Sequence, residues 1–239
     1  MTNALEGDPS AREHDYHAFL ETARHHLQTV DPVIARLIEE LPGFDPQAWL
    51  RELPRVDLFG ALLFQVVGQQ LSVAVTRRTI ARLEAVFGGH LPSPAAVVAA
   101  DPATLRSGGL SWRKVETVRD LAARFLDGRF SQDRLSTLSD QEIIDELTVV
   151  PGIGPWTAQG ALILALQRQD VVLPGDLALR KAIQVAYGLE RRPTSDEVLA
   201  IAEKWRPYRT LATGYLFASA FERSGASGSA TNAVQPPRA

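Results

Sequence analysis

Two short stretches of this 239-residue chain hold residue types and spacings that could do chemistry. The first is Leu147-Thr-Val-Val-Pro-Gly-Ile-Gly-Pro-Trp-Thr-Ala158, a tight turn set between two helical patterns. Pro151 stops the first helix. Gly152 and Gly154 permit backbone angles closed to other residues and clear side chains from the surface. Pro155 suits the first turn of the next helix. Backbone N–H groups at such a start point outward unpaired and can hold an anion, and a nucleic-acid phosphate fits without any base being read. The same residues equally suit a plain hairpin between two core helices. The second stretch, Gln167-Arg-Gln-Asp-Val-Val-Leu-Pro-Gly-Asp176, ends on a carboxylate just before the helical pattern Leu177, Leu179, Ile183 and Val185. Aspartate after Pro-Gly is an ordinary N-cap. A cap can also hold a carboxylate still while one of its oxygens faces a reactant.

Little else in the chain offers reactive groups. There is no cysteine, which excludes disulfides, cysteine-ligated zinc, iron–sulfur clusters and a thiol nucleophile. His14, His17, His25 and His26 lie near the N-terminus and His90 stands alone, so a histidine-rich metal site in the main body is not expected. The formal net charge is −3. It divides into an acidic front, 11 acids and 5 bases over 1–60, and a mildly basic body, 17 acids and 20 bases over 61–239. No run approaches the ~18 apolar residues of a membrane span. The polar N-terminus is unlike a secretory signal, so a soluble protein of a prokaryotic cytoplasm is expected.

The elements that must position these residues read as helices nearly throughout. Residues 1–15 and 222–239 read as flexible tails around one helical domain, 16–221, with the hairpin at about 140–167. Apolar spacing over His17–Leu41 predicts two helices broken near Asp31-Pro32. Asp57 caps a helix with apolar positions at Leu58, Ala61, Leu62, Gln65 and Val66, and a second long helix runs over Val73–Phe87 to the Gly88-Gly89 stop. Ser93-Pro94 and Asp101-Pro102 read as caps followed by proline at the first helical position. Ser111 starts a helix that Gly128 ends. Ser139/Glu142 and Thr194/Glu197 have capping-box spacing. Alternation of the strand kind is confined to Asp170–Leu173, so the fold class is all-α.

Four segments, in order, carry a resemblance that covers roughly residues 55–222. They are Phe59-Gly-Ala-Leu-Leu-Phe-Gln-Val-Val-Gly-Gln-Gln-Leu-Ser72, Gly109-Leu-Ser-Trp-Arg-Lys114, the Pro-Gly-Ile-Gly turn followed by Thr-Ala, and Trp205-Arg-Pro-Tyr-Arg209. Together they resemble the helix-hairpin-helix DNA glycosylase superfamily, and within it the alkylpurine branch, the 3-methyladenine DNA glycosylase II family. The resemblance implies a compact two-lobed helical fold and a monofunctional enzyme. Such an enzyme flips alkylated purines of the 3-methyladenine and 7-methylguanine type out of damaged double-stranded DNA and hydrolyses them off, leaving an abasic site. A glycosylase for oxidised or mispaired bases and a non-catalytic DNA binder are the competing readings.

By this resemblance Asp176, 22 residues after Gly154, is the catalytic carboxylate. Cleaving an N-glycosidic bond builds positive charge on the sugar, which a buried carboxylate stabilises, and a cationic alkylated base leaves without strong protonation. Strand-nicking members carry a lysine two residues after the second glycine. Trp156 stands there and cannot form a Schiff base. Trp156, Tyr208 and Phe64 are the implied walls of the base pocket, where electron-rich rings attract a cationic base. Gly160 occupies a place that is aromatic in the family, so a pocket that is roomier or differently shaped is expected. Gln69, Gln70 and Leu71 are implied to wedge into the duplex, with Gly109, Leu110 and Ser111 as a second contact. The hairpin residues Gly152, Ile153, Gly154 and Thr157 hold the backbone. A structural Na+ or K+ at the Val149 and Gly152 carbonyls is compatible with this turn, and no cofactor is required. Arg77, Arg78, Arg113, Lys114, Arg180 and Lys181 are candidate phosphate contacts, although each by itself reads as a solvated surface charge, whereas Trp112 and Trp205 read as core. About 55 residues precede the matched segment, too few for the extra sheet domain of larger relatives, and are expected to add helices to the same fold. A monomer is expected.

Overall fold

The computed structural model describes residues 9–48 and 57–223. All regular structure among them is helical, and the Asp170–Leu173 stretch is extended coil rather than strand. The chain runs α1 (Pro9–Val30), α2 (Pro32–Glu40), α3 (Leu58–Gly68), α4 (Val73–Val86), α5 (Pro94–Ala99), α6 (Pro102–Ser107) and α7 (Trp112–Leu126). It continues with α8 (Gln132–Ser136), α9 (Asp140–Thr148), α10 (Pro155–Leu164), α11 (Leu177–Tyr187), α12 (Ser195–Ala202), a 3-10 turn (Glu203–Trp205) and α13 (Arg209–Arg223). Helix α1 begins at Pro9, inside the stretch that reads as a tail. Residues 1–8 and 224–239 of the two tails lie outside the described residues.

Caps set most of the boundaries. Asp31, Asp57, Ser72, Ser93, Asp101, Ser111 and Asp176 each accept backbone N–H groups at a helix start. Ser139 and Thr194 form reciprocal capping boxes with Glu142 and Glu197. Each satisfies donors that the first turn leaves orphaned, and loss of one costs about 1 kcal/mol.

The apolar faces gather into two clusters, which are the two lobes. One is built from α3 to α10, with Leu63, Leu83, Leu105, Val118, Ile143, Leu147 and Leu162 among its buried residues. The other joins α1 and α2 to α11, α12 and α13, through Leu27, Ile34, Leu37, Ile183, Trp205 and Tyr215. The N-terminal segment therefore supplies helices to the second lobe. Asp31 ties that lobe together: its fully buried carboxylate caps α2 and accepts hydrogen bonds from the Trp205 indole at 2.7 Å and the Tyr187 hydroxyl. The segment between α10 and α11 crosses between the lobes, with Val171 and Leu173 in one cluster and Val172 in the other. Arg209 and Arg206 grip it through Asp170, each at 2.7 Å.

Candidate active site

Asp176 lies at the end of that crossing segment, at the seam of the two lobes. Its Oδ1 accepts from the Leu179 N–H at 2.8 Å and so caps α11. Its Oδ2 accepts from the Trp156 indole N–H at 2.9 Å, on α10 of the other lobe. The carboxylate is 0% exposed. Burial pushes its pKa from 3.8 up to about 6, against the Leu179, Trp156 and Ala178 N–H groups, which favour the charged form and lower it. A group of this pKa is about nine-tenths ionised at pH 7. The site thus holds a desolvated negative charge fixed on both oxygens, suited to stabilising a cation that develops beside it.

Trp156 has a different place from that of an open pocket wall. Its ring is 9% exposed and belongs to the first core cluster, and its N–H is committed to Asp176. It positions the carboxylate. Trp156→Phe keeps an aromatic ring at this buried position but is smaller, and it removes that donor. The Asp176 pKa then rises, so the acid limb of the rate–pH profile moves to higher pH and the rate at pH 7 falls about two- to tenfold. A purely structural role for Trp156 would leave the limb at its wild-type position.

The other implied pocket residues make no ring contact with it among the described residues. The Tyr208 ring packs edge-on against Phe19 at 5.7 Å and His26 at 5.4 Å in the second lobe, and no ring contact joins it to Trp156 among the described residues. Phe64 is half-buried on α3. The extra room expected at Gly160 is absent. A Cβ there would lie 2.3 Å from Nε2 of Gln65, so the Gln65 amide fills the space.

The hairpin forms as expected. Gly152 has φ +93°, and α10 starts at Pro155 with Gly154 as its cap and no side chain on its first N–H groups. The N–H groups of Gly154, Trp156 and Thr157 donate to no protein acceptor among the described residues. They form an anion-binding helix start. Ile153 and Thr157 contribute differently from what the sequence suggests. The Ile153 side chain is 4% exposed and in the core, and the buried Thr157 hydroxyl accepts from Gln69. The turn faces outward through its backbone and the exposed rings of Pro151 and Pro155.

Three turns are bonded into one surface. Nε2 of Gln69 donates to the Gly152 carbonyl at 2.9 Å and to Thr157 Oγ1 at 3.0 Å. Nζ of Lys114 donates to the Val67 and Gln69 carbonyls at 2.7 and 2.9 Å, and burial lowers its pKa. The Thr117 hydroxyl donates to the Pro151 carbonyl at 2.8 Å. Gln69 and Lys114 are therefore struts rather than groups free to touch a partner. Gln70 is the exposed residue of its turn, at φ +59°, and Leu71 is half-buried. In the neighbouring turn Gly109 (φ +102°) and Ser111 are exposed, but Leu110 is 0% exposed and anchors the turn in the core. Trp112 corrects its core reading: it is 55% exposed, with the Arg106 guanidinium 5.7 Å from its ring centre. Arg77, Arg78, Arg113 and Lys181 are exposed, and Arg180 is tied to the Pro193 carbonyl at 2.6 Å. The struts escape sequence reading because they join turns 40 to 90 positions apart, as with Gln69 and Thr157 at a separation of 88.

Residues 64–207 match the HhH-GPD superfamily base excision DNA repair protein family, more than half of the chain. The chain belongs to this superfamily. It is 29% identical over 200 residues to DNA-3-methyladenine glycosylase 1 of Schizosaccharomyces pombe, covering 83% of this chain and 86% of that protein. It is 28% identical to DNA-3-methyladenine glycosylase 2 of Escherichia coli, covering 77% of this chain and 64% of that one. Among solved structures it superposes on the S. pombe 3-methyladenine DNA glycosylase in complex with abasic DNA at a TM-score of 0.74, covering 82% of this chain and 94% of that chain. The DNA-3-methyladenine glycosidase of Bacillus halodurans matches at a TM-score of 0.65 and 26% identity, over 84% of this chain and 95% of that chain. In this superfamily member the all-α fold, the hairpin and the capped aspartate stand together.

Proposed function

We propose that this base excision repair protein is a monofunctional DNA glycosylase. It hydrolyses alkylated purines of the 3-methyladenine and 7-methylguanine type from duplex DNA and leaves an abasic site. The observation that carries this is the buried Asp176 carboxylate held by the Trp156 indole, at the place where a nicking enzyme would need an amine. The carboxylate stabilises the oxocarbenium-like sugar and orients water, and the alkylated base leaves as a neutral purine because its extra methyl already made it cationic. The relatives' names support alkylated bases over oxidised ones.

The bonded surface suits the DNA side of this chemistry. The hairpin N–H groups take a phosphate, and exposed Arg77, Arg78 and Arg113 add salt-dependent affinity. Gln70, exposed at a left-handed backbone position and backed by Lys114 and Gln69, is the side chain to fill the gap left by the flipped nucleotide. A monovalent cation is part of the same reading. The Val149 carbonyl accepts no hydrogen bond among the described residues and Gly152's accepts one from Gln69. Neutral carbonyl oxygens fit Na+ or K+, and such an ion would add positive charge behind a bound phosphate.

Base release from methylated duplex DNA, with and without alkali after the reaction, tests the proposal. Free methylpurine with strand breaks only after alkali is expected. Breaks without alkali would point to a lyase. No release from methylated DNA alongside release of oxidised bases would overturn the substrate reading.

A further inference from the structure

Helix α3 is buried along most of its length, from Leu58 to Leu63 and from Gln65 to Val67. One polar side chain interrupts that run. Gln65 is 3% exposed and its amide makes no hydrogen bond among the described residues, yet it is not one of the fully buried unpaired groups, which there are His26 Nε2 and Thr213 Oγ1, so its amide keeps a small accessible surface. The neighbouring glutamine on the same face, Gln69, spends its amide on two partners. The Gln65 amide instead points at α10, where it occupies the space that a Cβ on Gly160 would need. Gly160 lies one turn beyond Trp156 on the same side of α10, and the Trp156 indole holds Asp176. An idle donor–acceptor pair therefore sits one helical turn from the side chain that orients the catalytic carboxylate.

We propose that Gln65 reads the edge of the extruded base and makes the enzyme prefer 3-methyladenine to 7-methylguanine. This rests on the glycosylase reading above. A primary amide pairs with an adenine edge by two hydrogen bonds, its oxygen accepting from the N6 amino group and its NH2 donating to N7. 3-Methyladenine keeps both groups. In 7-methylguanine N7 carries the methyl group and position 6 is a carbonyl: in the same orientation the amide makes no bond, its oxygen against O6 and its NH2 against the methyl group, and flipped it makes only one, from its NH2 to O6. Binding the right base also supplies the partner that the buried amide lacks, and this enlarges the difference between the two.

Single-turnover excision of 3-methyladenine and 7-methylguanine from one methylated duplex tests this, with wild type beside the volume-matched Gln65→Met. The wild-type preference for 3-methyladenine is expected to fall about tenfold in the variant, with the 7-methylguanine rate within threefold of wild type. Equal loss on both lesions, or an unchanged ratio, would overturn the role of Gln65 and leave the glycosylase reading intact. Excision of neither lesion by wild type would overturn both. A second measurement needs no variant: inhibition of wild type by the free bases. 3-Methyladenine is expected to inhibit at lower concentration than 7-methylguanine, and equal inhibition would count against the pairing.

Discussion

Asp176→Asn is expected to lower base excision from methylated DNA by about a thousandfold or more while making the fold slightly more stable at pH 7. The loss of rate follows from replacing a desolvated charge next to the reacting sugar by a neutral dipole. The gain in stability follows from the same burial. Because the folded-state pKa is raised from 3.8 to about 6, the carboxyl contributes full stability below pH 4, and this is lost as pH rises through 6. The rise corresponds to about 3 kcal/mol at pH 7. Asparagine carries no charge but offers one oxygen for the two donors, Leu179 N–H and Trp156 Nε1–H, and so gives back about 1–2 kcal/mol. Thermal unfolding of the variant should therefore occur a few degrees above wild type at pH 7 and no higher than wild type at pH 4. A variant that is inactive because it is destabilised would show that Asp176 serves only as a cap. The wild-type rate should rise with pH along a limb centred at about 6, the ionisation of this same group.

Gly152→Ala is expected to be the most damaging small substitution in the hairpin. The backbone there has φ +93°, and an added Cβ would lie 2.2 Å from Thr117 Oγ1. The strained angle costs about 1–2 kcal/mol. Pushing Thr117 aside also breaks its bond to the Pro151 carbonyl, worth about 1 kcal/mol. A fall of roughly 4–12 °C in melting temperature follows for a chain of this length. DNA affinity should fall with it, because Gln69 bonds to the carbonyl of the same residue. Gly154→Ala is the control: nothing lies within 4 Å of its Cβ and its φ is −98°, so its melting temperature should stay within about 1 °C of wild type. Thr117→Ala in the Gly152→Ala background should recover part of the loss by removing the clash and not the backbone strain. No recovery would place the whole cost in the backbone angle.

Much of this molecule is decided locally, and local decisions are legible in sequence. Asp31, Asp57, Ser72, Ser111, Ser139 and Thr194 mark helix starts because a cap satisfies donors two or three residues away. Gly152 and Pro155 shape the hairpin through angles and donors of their own. Asp176 stands at a cap and within a motif order, so its position needed no fold. The direction of side chains with two plausible environments was a different matter. Leu110 and Ile153 sit in exposed-looking turns yet anchor them in the core, and Trp112 does the reverse. Lys114 looks like a phosphate contact and is spent on two carbonyls of another turn. Trp156 faces Asp176 across 20 positions, and Gln65 meets Gly160 across 95. Gln65 was read only as one of the inward positions of its helix, because its purpose depends on what α10 puts opposite it. Sequence by itself determined the helices, their ends and the two groups capable of chemistry, because those rest on interactions within a turn of the chain. Only the tertiary structure decided which side chains are partners and which are idle, because burial and hydrogen bonding between distant segments exist only once the lobes have packed.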